Sequence, residues 1–153
     1  GRMPAPLLVF GWGNASRGDD ALGPLFVQQL PGLLKAAQIG RVELLEDYQL
    51  QVEHALDLVG RERVLFVDAS VDSAAPFACA PVSAARQADA ASHALSPAAL
   101  LRVYRQLHRR DAPPSTLLAI RGEQFGLGEP ISDAAASNLE AALRWACGWI
   151  GER

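Results

Sequence analysis

Short apolar runs alternate along the chain with longer segments that have a helical period. Continuous apolar residues at positions 7–10 and 64–67 are typical of strands that are buried on both faces of a sheet. Positions 41–45 and 116–120 predict two further strands, and positions 77–82 alternate in the manner of an edge strand. The pattern therefore predicts five strands.

Four helices are predicted between and after these strands. One has its period over positions 20–34, with a stop or kink at its Pro-Gly pair, and a short one covers positions 51–59. A third begins at Ser96, an N-cap residue followed by proline, and the last runs from Ser132 to about residue 150. This alternation predicts an α/β fold, an open and mostly parallel sheet with helices on both faces.

Composition narrows the classes of protein to consider. With 153 residues, 50% hydrophobic and 20% charged, the chain is typical of a globular domain and not of a disordered one. A net charge of −3 makes nucleic acid and anionic membranes poor candidates for partners. No apolar run approaches the ~20 residues that cross a bilayer, and the first is too short for a signal peptide. We therefore expect a cytoplasmic protein.

The cysteines narrow the possible metal sites, and the first two residues bear on where the domain begins. Cys79 and Cys147 lie far apart and form no Cys-x-x-Cys pair, which excludes a zinc site made of thiolates. Both lie in apolar stretches typical of buried cysteines, and a disulfide between them is possible but not needed. Gly1 and Arg2 resemble residues left by cloning, so the predicted single domain covers residues 3–153.

Candidate chemistry begins in the segment 11–20, directly after the first strand. Its glycines suggest a phosphate cradle, but a dinucleotide fingerprint would need a third glycine where Ser16 stands, and no Gly-Lys-Ser/Thr follows. A tight glycine turn that brings Asp19 and Asp20 to the carboxyl edge of the sheet explains the segment better, because sites in such sheets form at that edge. The plainer alternative is that Asp19 only caps the following helix.

Two further residues extend this set of candidates. Asp68 directly follows a buried strand, where an acid is held by hydrogen bonds or by a cation, although a loop-capping role is an alternative. His93 lies in a loop before a helix, where a lone histidine is more often structural or exposed. Together with Asp20 they form two carboxylates and one imidazole, ligands that suit nickel, zinc or iron. His54 is a weaker candidate beside the same edge.

Four blocks of the sequence resemble the hydrogenase maturation endopeptidases, which remove a C-terminal peptide from the large subunit of nickel-iron hydrogenases. The blocks are VFGWGN at 9–14 with RGDDALG at 17–23, LFVDA at 65–69, SHALS at 92–96, and the segment around the fifth strand with Ile131-Ser132. They keep the order of the family over nearly the whole chain.

The resemblance implies a fold, a metal site and an activity. The fold is a three-layer α/β/α sandwich with a mixed five-stranded sheet, and we assign its antiparallel strand to positions 77–82. The family's nickel ligands fall on Asp20, Asp68 and His93, which are therefore the predicted catalytic and metal-binding residues. The nickel arrives bound to the precursor's cysteines, so no permanent metal of the protein's own is expected. The expected partner is the large-subunit precursor, and the expected state is a monomer.

One segment departs from the family pattern. The turn after the second strand, often Asp-Gly-Gly-Thr, is here the sequence DYQLQVEH at 47–54. With RGEQF at 121–125, it is similar to the subgroup that serves NAD-reducing or bidirectional hydrogenases. The altered turn leaves substrate recognition open and the metal ligands intact.

The resemblance leaves the general base unassigned, with Asp19 and His54 as candidates. Two other functions stay open. One is a non-enzymatic nickel carrier or chaperone of the large subunit, which residue spacing alone does not exclude. The other is a nucleotide-binding α/β protein, which the glycine spacing disfavours. A conventional zinc protease is disfavoured because the sequence contains no His-Glu-x-x-His.

Overall fold

The five strands form one sheet in the order β2-β1-β3-β5-β4 in a computed structural model that describes residues 3–87 and 95–152. The neighbouring pairs β2-β1, β1-β3 and β3-β5 are parallel, and β4 is antiparallel to β5 at the edge. The strands are β1 (Leu7–Trp12), β2 (Val42–Asp47), β3 (Arg63–Ser70), β4 (Phe77–Val82) and β5 (Ser115–Arg121). The predicted mixed sheet, with its antiparallel strand at positions 77–82, is confirmed.

Helices flank the sheet on both faces. The α-helices are α1 (Leu22–Gln29), α2 (Ala36–Ile39), α3 (Pro97–His108) and α4 (Asp133–Gly151), and 3-10 helices cover Gly18–Ala21, Leu30–Leu33 and Val52–Leu58. The hydroxyls of Ser96 and Ser132 cap α3 and α4 by accepting N–H bonds from Ala99 and Ala135, as predicted. The segment predicted as helical over 20–34 is three pieces. Its predicted stop at the Pro-Gly pair is confirmed, because the proline at position 31 ends the α-helical hydrogen bonding of α1, whereas the separate 3-10 helix Gly18–Ala21 was not predicted.

Strand alternation divides the core into two layers. Val9, Leu65 and Val67 pack in a cluster with residues of α1 and α4. Phe10 and Phe66 point the other way and pack with residues of α3 and of the 3-10 helix Val52–Leu58. Both faces are therefore apolar, and each fully buried Leu or Phe contributes about 1.5–3 kcal/mol. This explains why β1 and β3 read as continuous apolar runs.

The first strand continues through Gly11, where the sequence suggested that it stops. Gly11 pairs with Glu46 of β2 and Val67 of β3. A Cβ atom on Gly11 would lie 2.4 Å from the carbonyl oxygen of Gly23, and a Cβ on Gly23 would lie 2.2 Å from the carbonyl oxygen of Trp12. The two glycines therefore let α1 approach β1 backbone to backbone, which brings the start of α1 close to the carboxyl edge.

Two remaining features bear on the predicted class of protein. No helix in the described part of the chain has the length and apolar character needed to span a membrane. Both cysteines are free, but Cys79 is exposed on the edge strand β4 and Cys147 is half-buried on α4. The prediction that both are buried is wrong for Cys79, because an edge strand turns these side chains to solvent.

Candidate functional site

Asp20 and Asp68 meet at the carboxyl edge of two neighbouring strands. Asp20 lies in the 3-10 helix Gly18–Ala21 that follows β1, and Asp68 lies within β3. The pairing of β1 with β3 ends at Gly11 and Val67, so Asp68 is the first residue of β3 beyond that ladder. The two carboxylates are close enough for the charge of Asp20 to affect the ionisation of Asp68. The structure thus brings together two of the three predicted ligands.

Asp68 lies within β3, whereas the sequence suggested that it directly follows the strand. It pairs with Ala119 of β5, and β3 continues to Ser70. By alternation its side chain lies on the same face as Phe66, toward the layer of α3. Burial raises the pKa of Asp68 to about 7, the N–H of Ala69 opposes that rise, and the charge of Asp20 adds to it. Asp68 is therefore a carboxyl group that changes charge near neutral pH.

The turn between β1 and Asp20 is closed by Gly13. Its φ of +152° is one that L side chains rarely adopt, and a Cβ atom there would lie 2.0 Å from the carbonyl oxygen of Asp20. The N–H of Asn14 donates to Oδ2 of Asp20 at 2.7 Å. One carboxylate oxygen of Asp20 is therefore held by its own turn, and among residues 3–87 and 95–152 no donor is hydrogen-bonded to its Oδ1.

The backbone of this turn is not arranged to cradle a phosphate. Its N–H groups donate within the protein: Gly13 to Asp47 O, Asn14 to Asp20, Ser16 to Asn14 Oδ1, Arg17 to Asn14 O, Gly18 to Glu129 O, Asp19 to Gln124 O and Asp20 to Arg17 O. A phosphate loop needs such groups free to point at its ligand. The geometry counts against the nucleotide-binding alternative.

Asp19 is neither a cap of its own helix nor an available base. It is completely buried, and its carboxylate accepts hydrogen bonds from Glu123, Gln124 and Ser132. Burial alone would raise the pKa of Asp19, but the hydroxyl of Ser132 and the three backbone N–H groups outweigh it and hold that pKa below the ordinary value. An ionised carboxylate with all its partners in place is poorly suited to take up a proton.

His54 is also engaged on both sides of its ring. Its Nδ1 accepts from the N–H of Gln51 at 2.8 Å, so Nε2 carries the hydrogen that it donates to Asp47 at 3.0 Å. The ring packs edge-on against Phe10, with 4.4 Å between centroids. These contacts fasten the start of the 3-10 helix Val52–Leu58 to the end of β2. The arrangement is structural, and it leaves neither nitrogen free to act as a base.

The third predicted ligand, His93, lies outside the described residues, so the predicted set of three is not tested. Within residues 3–87 and 95–152, no three His, Cys, Asp or Glu side chains lie close enough together to hold a metal ion. Asp20 and Asp68 are oxygen ligands at one edge of the sheet. A third ligand, from residue 93 or from a bound molecule, would be needed to make a transition-metal site there.

A contact between two loops at this edge was missed by the sequence analysis. The side-chain amide of Asn14 donates to the hydroxyl oxygen of Tyr48 at 2.9 Å. Asn14 also holds Asp20 through its backbone, so the turn after β2 is linked to the candidate site through one residue. The available signal was that β1 and β2 are parallel neighbours, which places the loops that follow them side by side.

Solved structures share this architecture over nearly the whole chain. The nickel-iron hydrogenase maturation protease HycI from Thermococcus kodakarensis KOD1 superposes with a TM-score of 0.72 at 20% identity, covering 97% of this chain and 94% of that one. The hydrogenase maturating endopeptidase HybD from E. coli gives a TM-score of 0.72 at 22% identity, with 94% and 91% coverage. The chain has the fold of the hydrogenase maturation proteases.

A third structure agrees with these two. The hydrogenase 2 maturation peptidase from Thaumarchaeota archaeon SCGC_AB-539-E09 gives a TM-score of 0.66 at 20% identity and covers 95% of this chain and 97% of that one. No family model matches the sequence, and no curated protein matches it significantly. The expected three-layer fold is thus confirmed. Sequence identities of 20–22% establish a shared fold only, so the NAD-reducing subgroup stays a prediction.

Proposed function

We propose that this protein is an endopeptidase that removes the C-terminal peptide of a nickel-iron hydrogenase large-subunit precursor. The observation that carries the proposal is the pair Asp20, in the turn that follows β1, and Asp68, on the neighbouring strand β3, at the edge where α/β sheets bind ligands. The fold shared with maturation proteases over more than nine-tenths of the chain supports it.

Exposed apolar side chains around the same edge favour a protein as the substrate. Tyr48, after β2, is 62% exposed; Val71, after β3, is 65% exposed; and Leu127, after β5, is 70% exposed. Each lies on a loop that leaves the carboxyl end of a parallel strand. A partner that covers these side chains gains hydrophobic contact area, which a small charged metabolite would not provide.

In this proposal the nickel belongs to the substrate. It arrives on the cysteines of the precursor, and Asp20, Asp68 and His93 complete its coordination. Carboxylates and imidazole suit nickel, and the protein need hold no metal of its own. The bound ion fixes the scissile segment against the edge of the sheet and supplies a Lewis acid for a carbonyl or a water. A precursor without nickel lacks this bridge, so processing follows metal insertion.

The experiment is an intact-mass measurement on the precursor of a partner hydrogenase. The precursor is incubated with the protein, once loaded with nickel and once metal-free, and binding is followed in parallel. Loss of a C-terminal peptide from the loaded form only supports both the protease and the nickel requirement. Loss from both forms keeps the protease and rejects the nickel requirement. Tight binding with unchanged mass in both forms rejects the protease and favours the nickel carrier.

The remaining expectations belong to the same proposal. We expect the protein to be a cytoplasmic monomer. We expect its substrate to be the large-subunit precursor of an NAD-reducing or bidirectional hydrogenase. Two segments motivate the choice of substrate: 47–54, which runs from the end of β2 to the start of the 3-10 helix Val52–Leu58, and 121–125, which begins at the last residue of β5. Comparing precursors from different hydrogenase classes in the mass assay tests that choice, and sedimentation of the purified protein tests the monomer.

A further inference from the structure

The carboxylate of Asp19 joins two segments that are more than 100 residues apart in the sequence. Its Oδ2 accepts from the N–H groups of Glu123 at 2.7 Å and Gln124 at 3.0 Å and from the hydroxyl of Ser132 at 2.6 Å, while Oδ1 accepts from the N–H of Ser132 at 2.7 Å. The side chain is completely buried. A charge in such a place is stable only with every partner in position.

The backbone ties the same two segments together. The N–H of Asp19 donates to Gln124 O at 2.7 Å, that of Gly18 donates to Glu129 O at 3.1 Å, and that of Gly128 donates to Ser16 O at 2.7 Å. Residues 122–132, which connect β5 to α4, therefore lie across the turn that follows β1. We call residues 122–132 the β5–α4 strap.

The strap also connects this turn to the rigid part of the fold. The hydroxyl of Ser132 donates to Asp19 and accepts from the N–H of Ala135, so one oxygen caps α4 and holds the buried carboxylate. Gly122 lies against Asp19 as well, since a Cβ atom on Gly122 would be 2.8 Å from the Cβ of Asp19. The position of Asp19 is thus fixed by the strap, which begins directly after β5 and ends at the N-cap of α4, and not by its own short helix.

Asp20 is the next residue in the chain, so the position of Asp19 determines where the backbone of Asp20 lies. We propose that Asp19 is a positioning residue, whose buried carboxylate fastens the turn after β1 to the β5–α4 strap and thereby fixes the carboxylate of Asp20 for substrate. The inference rests on the proposed function for the role of Asp20, but the positioning itself is a property of the free protein. The positioning of Asp20 by Asp19 can therefore be tested by spectroscopy without substrate.

The first test replaces Asp19 by asparagine and follows the backbone amide of Asn14 by NMR. That amide donates to Oδ2 of Asp20 at 2.7 Å, so its chemical shift and hydrogen-exchange rate report the position of Asp20. Asparagine keeps one acceptor oxygen but places an N–H group against the N–H of Ser132. We expect Asp19→Asn to move the Asn14 resonance upfield and to speed its exchange.

The matched control is Ser115→Ala. Ser115 is 6% exposed, and its hydroxyl makes a single buried bond to Pro113 O at the other end of the sheet. This variant loses a buried hydrogen bond without touching the strap, so the Asn14 resonance should stay in place. Should Asp19→Asn not fold, Ser132→Ala serves instead, because it removes one donor and leaves three N–H groups on Asp19. A smaller shift in the same direction is then expected.

The second test measures processing of nickel-loaded precursor by the folded variants. A displaced Asp20 should slow processing by ~10- to 100-fold in Asp19→Asn, the loss typical of a group misplaced by about 1 Å, and Ser115→Ala should keep the wild-type rate. An unmoved Asn14 amide in folded Asp19→Asn, or in Ser132→Ala where it replaces that variant, overturns the inference whatever the rate. If the wild type itself fails to process any precursor, the proposed function fails, while the NMR result still decides whether Asp19 positions Asp20.

Discussion

Asp68 lies on β3 one residue beyond the ladder with β1, within reach of the charge of Asp20 in the turn that follows β1. Burial raises its pKa to about 7, and the neighbouring carboxylate adds to that rise. The pair is costly for the fold, because two carboxylates that repel each other stand at the edge of an apolar sheet. A cation bound between them would remove that cost, which is why the relationship bears on function.

The cost predicts how stability depends on pH. The pKa of Asp68 is about 7 in the folded state, against an ordinary value of 3.8, so between these pH values the folded state keeps a proton that the unfolded state has lost. Its contribution to stability is therefore complete below pH 4 and is lost as pH rises through 7. Relative to wild type, Asp68→Asn should become more stable by about 2–4 kcal/mol between pH 4 and pH 8. Urea unfolding of both proteins across this range measures the difference, and a difference that does not change with pH contradicts the account.

The packing of α1 on β1 makes a second prediction, with a matched control in the same chain. Gly23→Ala places a Cβ atom 2.2 Å from the carbonyl oxygen of Trp12 and should cost about 3 kcal/mol or more. Gly148→Ala, on α4, meets nothing within 4 Å and should stabilise by about 0.5–1 kcal/mol. Thermal unfolding distinguishes the two, and equal effects would show that α1 does not approach β1 as described.

His54 should prove to be a structural residue. Its Nδ1 accepts from the N–H of Gln51, and its Nε2 donates to Asp47. His54→Ala should lower the free energy of unfolding by about 1–2 kcal/mol, because both contacts at the start of the 3-10 helix are lost. The folded fraction should process precursor at the wild-type rate. A stable variant that no longer processes precursor would make His54 a participant in the reaction.

His93 is expected to behave in the opposite way. As the predicted imidazole ligand, it should be essential for processing and unimportant for folding. His93→Ala should keep the circular dichroism spectrum and melting temperature of wild type and lose processing of nickel-loaded precursor. His54→Ala is the histidine control for this experiment. Normal processing by His93→Ala would remove residue 93 from the site.

The strands were predictable because the hydrophobic pattern of each strand's own residues indicates it. Apolar runs, and alternation at positions 77–82, located all five strands. The bounds of β4 are those predicted, and the ends of the other strands differ from the prediction by at most three residues. The misplaced ends have a physical cause. Gly11 stays in β1 because α1 packs on it through Gly23, and a contact between two elements leaves no mark in either segment alone. In the segment 20–34 the Pro-Gly pair predicted the end of α1, but the apolar period did not predict the separate 3-10 helix Gly18–Ala21.

The site was predictable as a set of residues and not as a set of roles. Parallel strands bring their carboxyl ends to one edge, so Asp20 and Asp68 could be grouped from the sequence. The role of Asp19 could not be predicted, because its partners lie 104 to 113 residues away in the strap. The elevated pKa of Asp68 depends on burial, which is set by how other elements of the chain pack around β3.

The most direct test of the central claim is the processing of nickel-loaded precursor by Asp20→Asn. Asparagine keeps the size of the side chain and an oxygen for the N–H of Asn14, but it removes the charge that would bind nickel. By intact mass, wild type should remove the C-terminal peptide, while Asp20→Asn, with an unchanged melting temperature, should leave the precursor whole. Cleavage by Asp20→Asn at the wild-type rate would contradict the claim that this edge of the sheet recognises the metal.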